Sequence, residues 1–210
     1  MKKHLSLFLA GCFSTCIWAN CKTPLRRVDL GDTWTRSRDT SRTFKKWLRQ
    51  GVIRAPAKTA FAEYLDIYAL IRSPEIRVAE VDRHVEFRGM SPNERRKMVQ
   101  KEHQSSAKDF EVLMFATTYY REHNDFAHAD TIWQVDLIVN NELVIPADTI
   151  KRDRRPKPTI RSEYPWTGDF AEVYTATFKS PSPWNPKNKK IQLRVSSTIG
   201  NVKLTWLSDR

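Results

Sequence analysis

The sequence predicts an α+β fold, namely an antiparallel β-sandwich-like domain with an inserted helical hairpin. Three observations support this prediction. Apolar and polar residues alternate with a period of two in several short segments, which is typical of half-buried strands. Two consecutive serine-proline pairs are typical helix starts. The two predicted helices follow the first predicted strand and precede the others, so the simplest arrangement is a sandwich that carries a helical insertion.

The chain divides into three parts. Residues 1–21 are predicted to be a leader, residues 22–43 a tether without sustained periodicity, and residues 44–210 a single α+β domain. Hydrophobic residues make up 40% of the 210-residue chain, and seven of them are tryptophans. This composition suffices for one packed core and is that of a folded protein.

The first predicted elements of the domain are a strand and two helices. Within residues 59–71 the odd positions are largely apolar, which predicts a strand, with a helix as the alternative. Helices are expected over residues 74–88 and 92–107, and together they form a hairpin. Its inward face is predicted to carry Val78, Val81 and Val85.

The ends of both helices are marked by capping residues. Ser73 precedes Pro74, so its hydroxyl can accept a hydrogen bond from an unpaired amide of the first turn. Ser91 and Glu94 have the spacing of a capping box. Gly89 is expected to end the first helix.

The remaining strands follow the helical pair. They are predicted over residues 110–118, 133–139, 171–178, 191–196 and 202–206. Asn140-Asn141 and Gly200-Asn201 are expected to turn the chain, and a proline-flanked basic connection precedes residue 171. Trp133 and Trp206 lie on alternating strands and are predicted core residues.

The leader has the charge order of a secretory signal. Lys2 and Lys3 form a positive start, and a short apolar run over residues 5–11 follows. This run is too brief for a permanent transmembrane helix, which needs about 20 residues. The sequence therefore predicts an exported protein of the bacterial cell envelope.

Two processing sites compete within the leader. The tetrapeptide LAGC, which ends at Cys12, is typical of a bacterial lipobox, in which the cysteine is acylated and becomes the first residue. Alternatively, signal peptidase cuts after Ala19. The first option predicts a membrane-anchored lipoprotein, and the second a soluble periplasmic protein. Because the other cysteines are Cys16 and Cys21, the predicted domain has no disulfide framework and no thiol nucleophile.

The chain is basic, with 36 lysine and arginine residues, 24 acidic residues and a formal net charge of +12. A field of this sign attracts anionic polymers and surfaces. For an exported protein these are lipid head groups, lipopolysaccharide or wall polymers, and nucleic acid is not an expected partner. The expected partners are therefore a membrane, through the lipid anchor on Cys12, and an anionic envelope polymer or another protein.

The order of these features is similar to that of a group of uncharacterised bacterial exported proteins, many of them predicted lipoproteins. The resemblance covers most of the mature chain. It is carried by Ser73-Pro74-Glu75-Ile76-Arg77, the capped second helix, Ile132-Trp133 leading to Leu137, residues 146–150, Val173-Tyr174, and Gly200, Leu204 and Trp206. It implies an envelope location and a lipid anchor. The group has no established activity, so the resemblance implies no catalytic residue.

The segment HNDFAHAD, residues 123–130, combines two imidazoles and two carboxylates. These groups are ligands of Zn²⁺ and similar ions, so a metal site in a metal-dependent hydrolase is one interpretation. The spacing matches no metalloenzyme motif, and Asn and Asp are common in turns, so a polar loop without metal is preferred. The four candidate ligands are His123, Asp125, His128 and Asp130.

A basic run over residues 151–161 is a candidate contact for an anionic ligand. Arginine side chains match phosphate and carboxylate groups in bidentate fashion. The alternative is a solvated connection between strands, because charge runs commonly serve solubility. The candidate binding residues are Lys151, Arg152, Arg154, Arg155, Lys157 and Arg161.

Trp184 lies in the proline-rich segment SPSPWNP and is a candidate binding anchor for sugars or protein partners, or else packs on the sandwich end. The chain has no nucleophile elbow, no phosphate-binding glycine loop and no dinucleotide motif. Glu102, His103 and Ser105-Ser106 are interpreted as surface residues of the second helix. We therefore expect a non-enzymatic binding or assembly accessory that uses no cofactor.

Overall fold

The computed structural model describes residues 25–28, 52–58, 63–179 and 189–208. Within these ranges ten strands form two five-stranded sheets, and three α-helices and one short 3₁₀ helix complete the fold. Buried side chains of both sheets belong to one apolar core, so the predicted α+β sandwich-like class is confirmed. Cys12 and Trp184 lie outside the described residues.

The strands belong to two sheets, and consecutive strands often stay in the same sheet. Their bounds are β1 Arg26–Val28, β2 Val52–Lys58, β3 Glu63–Ile71, β4 Asp109–Thr118, β5 Gln134–Val139, β6 Leu143–Pro146, β7 Thr149–Arg152, β8 Glu172–Lys179, β9 Lys190–Ser197 and β10 Gly200–Ser208. Sheet I has the order β1-β10-β9-β5-β6, and sheet II the order β2-β3-β4-β8-β7. The described pairs are antiparallel except that β1 runs parallel to β10, with Arg26 opposite Trp206.

The core lies between the sheets, because alternate residues of each strand point to the same face. In β3 the apolar odd positions are fully buried, as predicted: Leu65, Ile67, Ala69 and Ile71. Trp133 is 4% exposed and Trp206 0%, which confirms both as core residues. The largest other contributors are Phe110, Phe126, Tyr174 and Phe178.

Helices cover the outer face of sheet II. Their bounds are α1 Pro74–Arg88, α2 Pro92–Ser106 and α3 Lys157–Glu163. A second apolar cluster joins α1 and α3 to this face, and its buried members are Leu70, Ile76, Ala79, Leu113, Phe115, Ile160, Tyr164 and Val173. None of the helices in the described ranges combines the length and the apolar character that crossing a membrane requires.

The helix ends agree with the sequence to within one residue. The hydroxyl of Ser73 accepts the N–H of Ile76 at 3.4 Å, and Ser91 and Glu94 cap α2 reciprocally. Gly89 has a φ of 61°, a left-handed conformation in which a side chain is strained, and its N–H closes the last turn of α1. Local capping chemistry therefore determines where both helices begin and where α1 ends.

The turn between β5 and β6 is the one predicted. Asn140 and Asn141 have φ values of 52° and 64°, and the N–H of Glu142 donates to the carbonyl of Val139 at 3.0 Å. This is the arrangement of a type I′ turn, whose twist matches that of the strands it joins. Asparagine tolerates the left-handed conformation better than most residues.

The predicted turn between β9 and β10 is wrong by two residues. The loop consists of Thr198 and Ile199, and Gly200 is already paired with Ser197. The hydroxyl of Ser197 accepts the N–H of Ile199 at 3.2 Å and donates to the carbonyl of Gly200 at 3.3 Å. A serine hydroxyl therefore stabilises this turn, where the sequence pattern had pointed to glycine and asparagine.

Two strands near the start of the described chain were not predicted. Arg26–Val28, within the predicted tether, forms β1 by pairing with the edge of β10. Three residues are too few to show an alternating pattern, so local sequence gives no signal. Strand β2 was also missed, because Pro56 weakens its strand pattern. Proline is tolerated there since β2 is an edge strand of sheet II.

The basic connection is more regular than predicted. Lys151 and Arg152 belong to β7, while Lys157 and Arg161 belong to α3. Strand β7 has four residues and α3 has seven, so β7 depends on pairing with β8, and α3 on packing against sheet II, rather than on local pattern.

Candidate binding clefts

One cleft, called the main cleft here, joins two segments that were separate candidate sites in the sequence. Its volume is about 810 Å³. Asn124, Asp125 and His128 line one wall, and the basic segment over residues 151–157 lines the other. The side chain of Tyr174 also lines this cleft.

The loop that carries the first wall is held by buried aromatic rings. Phe126 is 2% exposed and stacks on Trp133, with ring centroids 5.3 Å apart. The indole N–H of Trp133 donates to the carbonyl of His123 at 2.6 Å. The hydroxyl of Tyr174 donates to the carbonyl of Asn124 at 2.5 Å. Burial raises the pKa of Tyr174 to about 12, so this hydroxyl remains a donor at neutral pH.

The candidate metal ligands do not converge. The carboxylate of Asp125 accepts the hydroxyl of Thr131 at 2.9 Å, and its carbonyl accepts the N–H of His128 at 2.8 Å. Among the described residues, no three His, Cys, Asp or Glu side chains are arranged to hold a metal ion. This geometry does not support a metal site made of His123, Asp125, His128 and Asp130, and it favours a structured polar loop.

Most of the candidate anion-binding cations already have carboxylate partners. Arg155 pairs with Asp153 and with Glu163, each at 2.7 Å. Arg152 pairs with Glu172 at 2.7 Å. The hydrogen bonds that the guanidinium of Arg155 donates to the carboxylate of Asp153 are the main cause of the raised pKa of Arg155. The two arginines, paired with these carboxylates, therefore form part of the wall rather than open contacts for a ligand.

The same holds for the two cations of α3. The ammonium group of Lys157 lies 3.6 Å from Glu172 and donates to the carbonyl of Asp169 at 2.9 Å. Arg161 pairs with the carboxylate of Asp169. Both side chains therefore connect α3 to the segment that leads into β8.

Lys151 and Arg154 are the exceptions in the basic run. Both residues are exposed, both line the main cleft, and neither makes an ion pair within the described part of the chain. Within the basic run, the positive charge that is available to a ligand is thus concentrated on these two side chains. From the sequence, all six cations of the run had been equal candidates for binding an anion.

A second cleft, called the aromatic cleft here, adjoins the main cleft. Its volume is about 440 Å³, and it shares Asn124, Arg152 and Glu172 with the main cleft. Two aromatic side chains line it, Tyr119 and Phe170, and each is 69% exposed. The remaining lining residues are Thr117, Thr118 and Arg121.

Sequence reasoning missed a cluster of buried charges where α1 and α2 meet sheet II. Arg77 is 1% exposed and pairs with Glu102 at 2.7 Å and with Glu111 at 2.9 Å. Arg72 pairs with Glu80 at 2.7 Å and also with Glu111. Two guanidinium groups and three carboxylates thus form what we call the buried ion cluster.

In the buried ion cluster, the arginines and the carboxylates stabilise each other's charged forms. Burial by itself lowers the pKa of Arg72, but the carboxylates of Glu80 and Glu111 outweigh it and raise that pKa. Burial favours the neutral form of Glu111, but Arg77 and Arg72 outweigh it and lower its pKa. Burial, with the charge of Glu80, raises the pKa of Tyr164, whose hydroxyl donates to Glu80 at 3.0 Å.

No local spacing of residues in the sequence indicates the buried ion cluster. Glu102 was interpreted as a surface residue of the second helix, but its carboxylate reaches Arg77 across the helical pair. The members come from the end of β3, from both helices and from β4. The available signal was a pair of arginines, Arg72 and Arg77, on either side of the cap at Ser73.

In comparisons with known proteins, no family model and no curated protein matches this chain. The expected resemblance to exported proteins stays a prediction.

Proposed function

We propose that this protein is a non-enzymatic component of the bacterial cell envelope, anchored to a membrane by a lipid on Cys12, that acts as a binding or assembly accessory. The leader sequence supports the location and the anchor. The main cleft supports the binding role.

The observation that carries the binding role is the pair of exposed cations in the main cleft. Lys151 and Arg154 face the cleft without carboxylate partners among the described residues, while their neighbours are paired. A lysine and an arginine in a concave site attract phosphate or carboxylate groups. The ligand of this cleft is therefore an anionic component of the envelope.

A soluble periplasmic binder of anionic glycan or lipid is the second candidate. It uses the same cleft and differs in processing, because cleavage after Ala19 removes Cys12. Its support is the basic charge of the chain together with Lys151 and Arg154. The two candidates are distinguished by the mature N-terminus.

We also interpret the helical pair as a hairpin inserted into the sandwich. The two helices follow β3, and β4 then pairs directly with β3, with Ile71 opposite Val112. If the two helices are left out of the order of elements, β3 and β4 follow one another directly as neighbouring antiparallel strands of sheet II. This arrangement supports an insertion between adjacent strands.

Substitution of Cys12 by serine is expected to abolish lipidation. Labelled palmitate should enter the wild-type protein and should not enter Cys12→Ser, because the thiol is the acylated group. The measurement is palmitate labelling in cells, followed by the mass of the mature N-terminus. Cys16→Ser serves as the control and should label like the wild type. An unlabelled wild-type protein that begins at Asn20 would instead establish the soluble form.

Removal of the two unpaired cations is expected to weaken binding of anionic envelope material. Lys151→Ala/Arg154→Ala should lower affinity for lipopolysaccharide by at least about tenfold, because charge-assisted hydrogen bonds are lost. Binding of the wild type should fade between about 0.1 and 1 M salt, as the Debye length falls from about 10 to 3 Å.

The control for this experiment removes the same charge elsewhere. Lys101 and Lys108 are exposed and line neither cleft, so Lys101→Ala/Lys108→Ala should bind like the wild type. Equal losses in both double variants would show that total charge, and not the main cleft, governs binding. Capture that salt does not weaken would contradict an electrostatic contact.

A further inference from the structure

The main cleft and the aromatic cleft are neighbouring parts of one surface. Three residues line both of them, namely Asn124, Arg152 and Glu172. The ion pair between Arg152 and Glu172, at 2.7 Å, contributes to the boundary that they share. A ligand longer than one chemical group can therefore contact both clefts at once.

The two clefts offer different chemistry. In the main cleft the available groups are the cations Lys151 and Arg154. In the aromatic cleft they are the rings of Tyr119 and Phe170, each 69% exposed. A matching ligand has an anionic group on one part and a flat apolar face on the next.

Tyr119 is held in place from several sides. Its N–H donates to the carbonyl of Tyr64 at 3.1 Å, which continues the pairing between β3 and β4. Its ring packs edge-to-face against Tyr120, with centroids 4.9 Å apart, and Tyr120 packs in the same manner against His123. The backbone bond fixes where the residue lies, and the contact with Tyr120 limits the orientations of its exposed ring, which lowers the entropy cost of binding.

The rest of the aromatic cleft is polar. Thr117, Thr118, Arg121 and Asn124 line it beside the two rings. Such a lining suits a ligand that carries hydroxyl groups, because each hydroxyl can donate and accept hydrogen bonds. Thr118 and Asn124 already donate to the carbonyls of Tyr120 and Ala116, so Thr117 and Arg121 are the groups that a fatty chain would desolvate without giving them partners.

We infer that the ligand is an anionic saccharide, in which a sugar ring stacks on Tyr119 and Phe170 and a phosphate or carboxylate group lies between Lys151 and Arg154. The apolar face of a sugar ring pairs with an aromatic ring, and its hydroxyls suit the polar lining. This inference rests on the proposed binding function, and it selects a glycan over an anionic lipid surface.

The experiment measures binding by calorimetry with the mature form that begins at Asn20, which carries no acyl chain, so that vesicle binding cannot come from the lipid anchor. The probes are oligogalacturonate and phosphorylated oligomannose, with neutral oligomannose, inorganic phosphate and phosphatidylglycerol vesicles for comparison. Both anionic oligosaccharides, or the one with the preferred anion, should bind more tightly than every comparison probe. Tighter binding of the vesicles, equal binding of inorganic phosphate, or no binding of either anionic oligosaccharide overturns the inference.

Aromatic variants separate this inference from the proposed function. Tyr119→Ala/Phe170→Ala should weaken oligosaccharide binding roughly five- to tenfold and leave the weaker binding of inorganic phosphate unchanged. Phe87→Ala is the control, since Phe87 is 91% exposed on α1 and lines neither cleft. Wild-type affinity in the aromatic variant, with loss in Lys151→Ala/Arg154→Ala, overturns the saccharide and keeps the anion site. Wild-type affinity in the cation variant overturns the proposed function as well.

Discussion

Replacement of Arg77 by methionine is expected to destabilise the folded domain by about 3 kcal/mol or more. Methionine keeps most of the apolar stem but removes the charge that faces Glu102 and Glu111. Two carboxylates then stay at the helix–sheet junction with Arg72 as their remaining cation partner in the buried ion cluster. The measurement is the midpoint of urea unfolding at neutral pH.

An exposed ion pair provides the matched control. Arg54 pairs with Asp66 at 2.8 Å, but the arginine side chain is about half exposed. Arg54→Met should therefore cost about 1 kcal/mol or less. In the double variant Arg77→Met/Glu111→Gln part of the lost stability should return, because the substitution removes a buried charge that has lost one of its two cation partners. A similar small effect for Arg77→Met and Arg54→Met would contradict the importance of burial here.

The acid sensitivity of the Arg77→Met variant should also change. In the wild type the lowered pKa of Glu111 stabilises the fold above the unfolded-state pKa, about 4.3, and this contribution is lost as the pH falls through the folded-state pKa. Without Arg77 the folded-state pKa of Glu111 rises. Stability should therefore begin to fall at a higher pH than in the wild type, which unfolding midpoints between neutral pH and about pH 3 can test.

Replacement of Trp133 by alanine is expected to cost about 3–5 kcal/mol and to weaken binding in the main cleft. The side chain is 4% exposed, stacks on Phe126 and donates to the carbonyl of His123. Its loss leaves a cavity and frees the loop that carries Asn124 and Asp125. Unfolding midpoints and ligand affinity of the folded protein, both measured at low temperature, test the two effects.

A variant of Trp206 distinguishes the loss of stability from the loss of binding that Trp133→Ala is expected to cause. Trp206 is fully buried in β10 and lines neither cleft, so Trp206→Ala should cost a similar amount without changing the affinity of the folded protein. Trp133→Phe keeps a ring but lacks the N–H, so it should cost about 1 kcal/mol and still loosen the loop. If neither Trp133 variant alters affinity, the loop does not shape the cleft.

The parts of the fold that local sequence could predict are those with local causes. Ser73 and Ser91 begin the helices by capping them, and the alternation in β3 and β9 follows from burial of one face. Strand β1 and helix α3 have no such local cause. Strand β1 forms because it pairs with β10 at the edge of sheet I, and α3 forms because it packs on the apolar outer face of sheet II.

The candidate site shows the same division. The sequence singled out Asp125 and His128, and separately the basic run, as rival sites. The register of β7 on β8, with Arg152 opposite Tyr174, brings that run to the loop that Tyr174 holds. Which cations are paired was equally beyond the sequence, because the partner of Arg152 is Glu172, on the next strand of sheet II.

The parallel pairing of β1 with β10 has a consequence for the order of folding. All strands of sheet II lie within the first 179 residues, but sheet I needs β9 and β10 from the end of the chain. Contacts between distant segments form late, because closing a long loop costs entropy first. When the chain is synthesised from its N-terminus, sheet II can therefore form early. Arg26–Val28 can pair with β10 only when nearly the whole polypeptide is present.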